Sequence, residues 1–425
     1  MSSSNSPGDS VGYVEQVRRF SRNAKLFLAY DLLSGLGTGI WAVMFNLYLL
    51  RVGFSVTFVG EYWGINMLFH GLAAFPAGLI GDKIGRRKAF ILATTLSVCA
   101  RGVLLFTLDP SWLLVFAAIA GIGDGFHGVT GAPFMMENSE REERPLLFSL
   151  DASFLQVSIF VGSLSGGFLP LFWAGILGVP LLDPQAARLA LVLSLPLTLI
   201  SLIPLAIMKE KPVELVESFV ELFTLSHMVS HGIIARLVLC SAFIGIGFGI
   251  STRFFNVFFA EAQGASDDQV GMIMAIGALG AAASILFSPM MTNKWGKVRS
   301  ILFTQASSVP FLLLMAMVPD LSMVTALFVF RGALYSISMP LRNQLSMEFI
   351  ESQERATTAG LIHMLFDIGG SAGAWFGGML MFGGNFVAAF GVASLVFLIP
   401  AVLYYVFFAA MERRQLALGL ARRRG

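Results

Sequence analysis

The sequence predicts an all-α polytopic membrane protein whose twelve transmembrane helices form two pseudo-symmetric six-helix bundles. Three observations carry that expectation. Hydrophobic residues make up 56% of the 425 positions and charged residues only 13%, about half the charged share of an ordinary soluble domain. Apolar runs of about twenty residues, the length that crosses hydrocarbon, recur along the whole chain. The two halves of the chain also repeat one another at a nearly constant spacing.

Read between polar breaks, the first half gives helices near 25–50, 57–80, 88–107, 111–136, 147–174 and 188–208. The second half gives helices near 234–262, 268–291, 299–318, 321–346, 356–381 and 385–411. The first apolar run follows a basic, polar leader over 1–24 and is too long for a cleaved signal core, so it is expected to remain as a helix. The bundles 25–208 and 234–411 are joined by a polar connection, 209–233, carrying Lys209, Glu210, Lys211, Glu214 and Glu217. Its stretch Val213–Phe223 reads equally as an amphipathic surface segment and as a plain linker. A basic tail occupies 412–425.

In a twelve-span chain, alternate loops share a side. One side collects Arg18, Arg19, Arg22, Lys83, Arg86, Arg87, Lys88, Arg141, Arg144, Lys209, Lys211, Lys294, Lys297, Arg299, Arg355 and the arginines of the tail. The other side holds Arg51 and Arg188. Basic residues stay on the cytoplasmic side, so both termini are expected there, with the protein in the plasma (inner) membrane. A net charge of +2 gives no reason to expect a nucleic-acid partner. Cys99 and Cys240 lie inside apolar segments, where they read as small buried residues without disulfide or metal spacing.

The repeat has an offset of 211. Gly85 matches Gly296, Gly121 matches Gly332, Glu137 matches Glu348 and Arg144 matches Arg355. Gly162, Gly166 and Gly167 match Gly373, Gly377 and Gly378. Nearer the start of each half the offset is 210: Gly35, Gly37, Gly39 and Asn46 match Gly245, Gly247, Gly249 and Asn256. One inserted residue is implied. Small residues at such spacings let helix backbones approach closely. Because six helices per half is an even number, the halves are parallel repeats about the membrane normal, and a solute site is expected at their interface near the midplane.

A charge at the centre of a span costs about 2.5–3.5 kcal/mol on insertion scales, so each one needs a reason. Asp124 and His127, three apart on helix four, share a face near mid-span, with Gly121, Gly123, Gly125 and Gly128 around them. They read either as a proton-loading pair or as a satisfied pair that orients packing. His363 and Asp367, four apart on helix eleven, pose the same alternative. Arg253 and Asn256 share a face of helix seven, where Arg253 suits an anionic substrate group or a countercharge to Asp124. Arg331 lies in the outer third of helix ten, within snorkelling reach of the interface. Asp31 sits near the cytoplasmic end of helix one. Asn46 and Asn256 read as repeat-related hydrogen bonders, and His70 as a packed histidine.

The loop after helix two reads Gly78-Leu-Ile-Gly-Asp82-Lys83-Ile-Gly85-Arg86-Arg87-Lys88. It resembles the G-x-x-x-D-[RK]-x-G-[RK]-[RK] signature of the major facilitator superfamily. The second half carries a degenerate copy, Asn293-Lys294-Trp295-Gly296-Lys297-Val298-Arg299, and Glu140 to Arg144 and Glu351 to Arg355 fit as well. The resemblance spans essentially the whole chain. It implies a secondary transporter working by alternating access, with helices one, four, seven and ten lining a cavity and helix three, with Arg101, peripheral. It also implies a conformational latch at Gly78, Asp82, Gly85, Arg86, Arg87 and Glu137, with Asp82 facing the start of helix eleven. The expected partners are a small-molecule substrate, protons and membrane lipid around a monomer. Efflux of amphipathic compounds is the narrow preference over uptake of a sugar or organic anion, although helix five lacks the Gly-Pro step common in antiporters of the superfamily. No nucleophile, metal-ligand motif, nucleotide loop or cofactor loop accompanies the buried acids, so no enzyme, metal or cofactor is expected. A non-transporting sensor with a transporter fold is the alternative from another class.

Overall fold

A computed structural model describes residues 17–140, 143–209, 229–351 and 354–422. The stretch Val213–Phe223, the surroundings of Gly78 and the side chain of Asp82 lie outside what it describes. The first bundle comprises α1 (Arg22–Arg51), α2 (Val56–Ile84), α3 (Arg86–Leu104), α4 (Pro110–Glu137), α5 (Arg144–Leu177) and α6 (Pro184–Ile200, continued by Leu202–Ile207). The second comprises α7 (His231–Ser251, extended through Ala262), α8 (Asp267–Ile285, followed by Ser288–Trp295), α9 (Lys297–Met315), α10 (Leu321–Phe349), α11 (Arg355–Leu380) and α12 (Phe386–Arg422). The last helix thus runs on through most of the basic tail. Among the described residues, eight of these helices are long and apolar enough to cross a membrane on composition alone. The others, α2, α3, α4 and α11, are the ones that carry His70, Arg101, Asp124 and Asp367. Large apolar side chains such as Phe106, Phe172, Phe330 and Leu395 are exposed on the outside, as lipid-facing positions require. Cys240 is buried as expected, but Cys99 is exposed.

The helices begin and end where local chemistry dictates. Ser21, Ser55, Asp109, Asp183 and Asp320 each accept a hydrogen bond from a backbone N–H of the helix that follows, which satisfies donors the first turn leaves unpaired. Gly85 (φ 93°) and Gly296 (φ 80°) stand at matched positions of the repeat between α2 and α3 and between α8 and α9, in a region that favours glycine. Gly296→Ala is expected to lower stability by about 1 kcal/mol, read as a lower unfolding midpoint in detergent.

The insertion implied by the change of offset is visible. Offset 210 holds at Asn46 and Asn256, and offset 211 at the positive-φ turns Gly53 and Gly264. Between these landmarks, Phe258–Ala262 form a π turn, the form in which a helix absorbs an extra residue.

The halves meet through repeat-related contacts. A Cβ at Gly271 of α8 would lie 2.7 Å from the Gly167 Cα of α5, and one at Gly378 of α11 would lie 2.9 Å from the Gly60 Cα of α2. Gly60 and Gly271 are partners in the repeat, as are Gly167 and Gly378, so one seam is built twice about the pseudo-twofold axis. Both lie toward the face opposite the start of α1 and the end of α12; the latter is here the terminal face. An Arg51–Asp267 ion pair adds a further link on the opposite face. On the terminal face, Glu354 accepts hydrogen bonds from the backbone N–H groups of Val229 and Ser230, tying the start of α11 to that of α7. The Ser230 side chain and these N–H groups hold its carboxyl below the ordinary carboxylate range.

Candidate functional site

Between the bundles, on the terminal side of the glycine seams, lies a cavity of about 500 Å³ with mostly apolar walls. Its floor is formed where the repeat-related asparagines meet. Asn46 donates to Asn256 Oδ1 (2.9 Å) and to the Arg253 carbonyl (2.7 Å), while Asn256 donates to the carbonyls of Val43 (2.8 Å) and Ala42 (3.2 Å). Trp63 Nε1 donates to Asn46 Oδ1 at 2.7 Å. These bonds stitch α1 to α7 and satisfy polar groups that would otherwise be orphaned away from water. Above them the Arg253 guanidinium lies 4.1 Å from the Trp63 ring centroid and 5.3 Å from that of Phe248, a geometry that stabilises a cation in a dry site. Its Nε has no hydrogen-bond acceptor.

Asp124 does line the cavity, but its partner is Arg101, with contacts of 2.9 and 3.1 Å to the two carboxylate oxygens. Ser97 donates to the same carboxylate at 2.5 Å. Helix three is therefore not peripheral: Arg101, Ser97, Thr94 and Ala93 face the cavity. The cause is Gly123, where a Cβ would come within 2.7 Å of the Ala93 carbonyl oxygen; without one, α3 packs closely on α4. Among the described lining residues none comes from α10, unlike the expectation for helix ten.

The pairings read from spacing along single helices are replaced by pairings across helices. His127 faces Asp31 of α1, with Nε2 3.5 Å from Oδ1, rather than Asp124. Asp367 pairs with His70 of the other bundle at 2.7 Å, rather than with His363. Here Gly71 admits α11, since a Cβ there would lie 2.8 Å from the Asp367 Cβ. His70, read as a packed histidine, is thus half of a link between bundles. Arg331 does not reach the interface. It is buried with its guanidinium 5.1–5.3 Å from the ring centroids of Phe255, Tyr335 and Phe397, outside the cavity lining.

Of the latch residues, Arg86 Nε contacts Glu137 at 2.6 Å, and Arg87 donates to the carbonyls of Leu205 (3.0 Å) and Ala206 (2.5 Å). Lys297 pairs with Glu348 at the matched positions of the second bundle. These contacts bind helix ends within one bundle. One further acid escaped the reading of the sequence: Asp151 of α5, whose carboxyl lies within hydrogen-bonding reach of Asp31. No spacing along α5 announces it.

Known proteins share both the pattern and the shape. The family model described as Major Facilitator Superfamily matches residues 26–252 and again 237–423, once per bundle. A proton-coupled antiporter flippase, LtaA, of Staphylococcus haemolyticus (strain JCSC1435) is 23% identical over 91% of this chain and 95% of that protein. LtaA of Staphylococcus aureus (strain MSSA476) is 30% identical, but over 33% of this chain, and the match spans about a third of that relative's length (36%). Among solved structures, a bacterial homolog of the human lysosomal transporter Spinster, inward-facing and unoccupied, superposes with a TM-score of 0.70 at 17% identity, covering 91% of this chain and 96% of that one. A D-xylose–proton symporter superposes at 0.68 with 16% identity, covering 93% and 98%. With the family model spanning both bundles and this fold beneath it, the chain belongs to the Major Facilitator Superfamily.

Proposed function

We propose that the protein is a proton-coupled antiporter that exports amphipathic compounds by alternating access, with both termini in the cytoplasm. The observation that carries this reading is the cavity itself. It lies between the two bundles, has apolar and aromatic walls, and gathers Asp124–Arg101, His70 and Arg253 at its surface. An apolar pocket with a few placed charges suits a solute that has both characters. In this reading the glycine seams hold the opposite face closed, and the cavity on the terminal side of them serves the cytoplasm. The similarity to proton-coupled antiporter flippases supports proton coupling, and Asp31, Asp124, Asp151 and Asp367, buried or half-buried within the helices, are the acids from which a proton carrier would come.

One observation favours a narrower substrate. Arg253 lacks an acceptor at Nε, and Asp124 is already engaged by Arg101. Arg253 is thus placed to receive an anionic group, the role that would equally serve uptake of an organic anion. The test is flux in proteoliposomes with an imposed pH gradient. Export of an amphipathic substrate should be driven by protons moving the other way and should collapse with an uncoupler. Flux that ignores the gradient would remove proton coupling, and absence of flux for every amphiphile, sugar and organic anion tried would favour a sensor. Arg253→Gln should weaken binding of anionic amphiphiles by about tenfold, the cost of one lost charge-assisted hydrogen bond, while sparing cationic ones.

A further inference from the structure

We propose that Asp31, Asp151 and His127 form a proton-binding site in which the two carboxyls share one proton and the imidazole passes it to and from the cavity. The proposal deepens the proton-coupled reading by locating the ion.

The placement follows from the packing of α1 on α5. These helices run parallel and close on small residues. A Cβ at Gly35 would meet Leu155 and Ser158, and one at Gly39 would lie 2.8 Å from the Gly162 carbonyl carbon. One turn back along both helices, the same register sets Asp31 against Asp151, and their carboxyls come within hydrogen-bonding reach. Asp31 Oδ1 and Asp151 Oδ1 are both buried without a hydrogen-bond donor. Two ionised carboxylates at that separation repel strongly where water is scarce, so such a pair holds a proton between them.

The groups facing the pair leave this as its stable form. From α4 comes His127, 3.5 Å from Asp31. From α1 itself comes Tyr30, whose hydroxyl is engaged with Thr94 of α3 at 2.9 Å. Arg101 and Asp124, on α3 and α4, are committed to each other. From α6, Thr198 approaches Gly37 and brings a hydroxyl, which is bonded to the Ser194 carbonyl. None of these contributes a free cation that would hold both carboxylates charged. Nor, among the described residues, do three such groups converge closely enough to hold a metal ion.

Access is one-sided. The His127 side chain is 37% exposed and lines the cavity, whereas that of Asp31 is 6% exposed and does not. A proton on His127 Nε2 transfers to Asp31 Oδ1, and the imidazole recovers one from cavity water; unloading reverses both steps. Asp124 is already engaged, with Arg101 on both of its oxygens and Ser97 donating to it. The proton therefore sits on the first bundle and the charge that meets an anionic group, Arg253 of α7, on the second, within one cavity's reach.

Infrared difference spectroscopy on the purified full-length protein tests this without any substrate. At neutral pH the protein should show a protonated-carboxyl carbonyl band that shifts in deuterium oxide. The band should vanish in Asp31→Asn and in Asp151→Asn, each made singly, and persist in Asp124→Asn. His127→Gln, which removes neither carboxyl, should keep the band and slow its deuterium exchange by about tenfold or more. A band that survives either aspartate replacement, a band lost in Asp124→Asn, or exchange unchanged in His127→Gln overturns the proposal. Should an aspartate variant fail to fold, the exchange rate in His127→Gln still decides. A carboxyl band with no proton-driven flux would sink the proposed function and leave this site standing.

Discussion

Arg101→Met is expected to lose about 3 kcal/mol of stability and to transport nothing, because it leaves the Asp124 carboxylate uncompensated in the wall of an apolar cavity. Removing one partner of such a pair is worse than removing both. The double variant Arg101→Met/Asp124→Leu should therefore recover most of the unfolding midpoint in detergent while remaining inactive in flux assays. That divergence separates the contribution of the pair to folding from its contribution to transport. A single variant as stable as the parent would show that the pair is hydrated and that its energetics belong to water.

Gly271→Leu is expected to act on the conformational equilibrium. The added side chain must enter the space where α8 meets the Gly167 Cα and the Ser163 carbonyl oxygen of α5. Overpacking of this kind costs about 1–3 kcal/mol. The cost falls on the state with the opposite face closed, and is relieved when the bundles part there. Since 1.4 kcal/mol is a factor of about ten, populations should shift about ten- to a hundredfold. Spin labels at Leu181 and Glu261, on opposite-face segments of the two bundles, should report a longer distance in the variant, and flux should fall in step. An unchanged distance would mean that this seam does not gate the cavity. Gly60→Leu should behave alike, because the repeat places it in the twin seam.

The parts legible in the sequence were those that leave a periodic or local trace. Hydrocarbon-length runs marked the helices, matched glycines marked the two bundles, and the change of offset implied one inserted residue, though not the π turn at Phe258–Ala262 that accommodates it. Candidate polar residues were also found, because a charge amid apolar neighbours stands out. Their partners were not. Spacing along one helix says which residues share a face, and it paired Asp124 with His127 and Asp367 with His363. In the fold each of those acids is answered from a different helix, by Arg101 and by His70. Gly123 and Gly71 decide those meetings by letting two backbones close in, and a glycine does not reveal which neighbour it admits. Asp151 was invisible for the same reason, since its significance exists only opposite Asp31.

The Arg51–Asp267 ion pair has no twin. The residue that duplication would set in place of Asp267 is Val56, which bears no charge. One of the two mirrored seams thus carries a clasp of opposite charges that its twin lacks. Both members are largely buried, so salt in the medium should leave the clasp intact, whereas Asp267→Asn should loosen that one edge and leave its counterpart as it was.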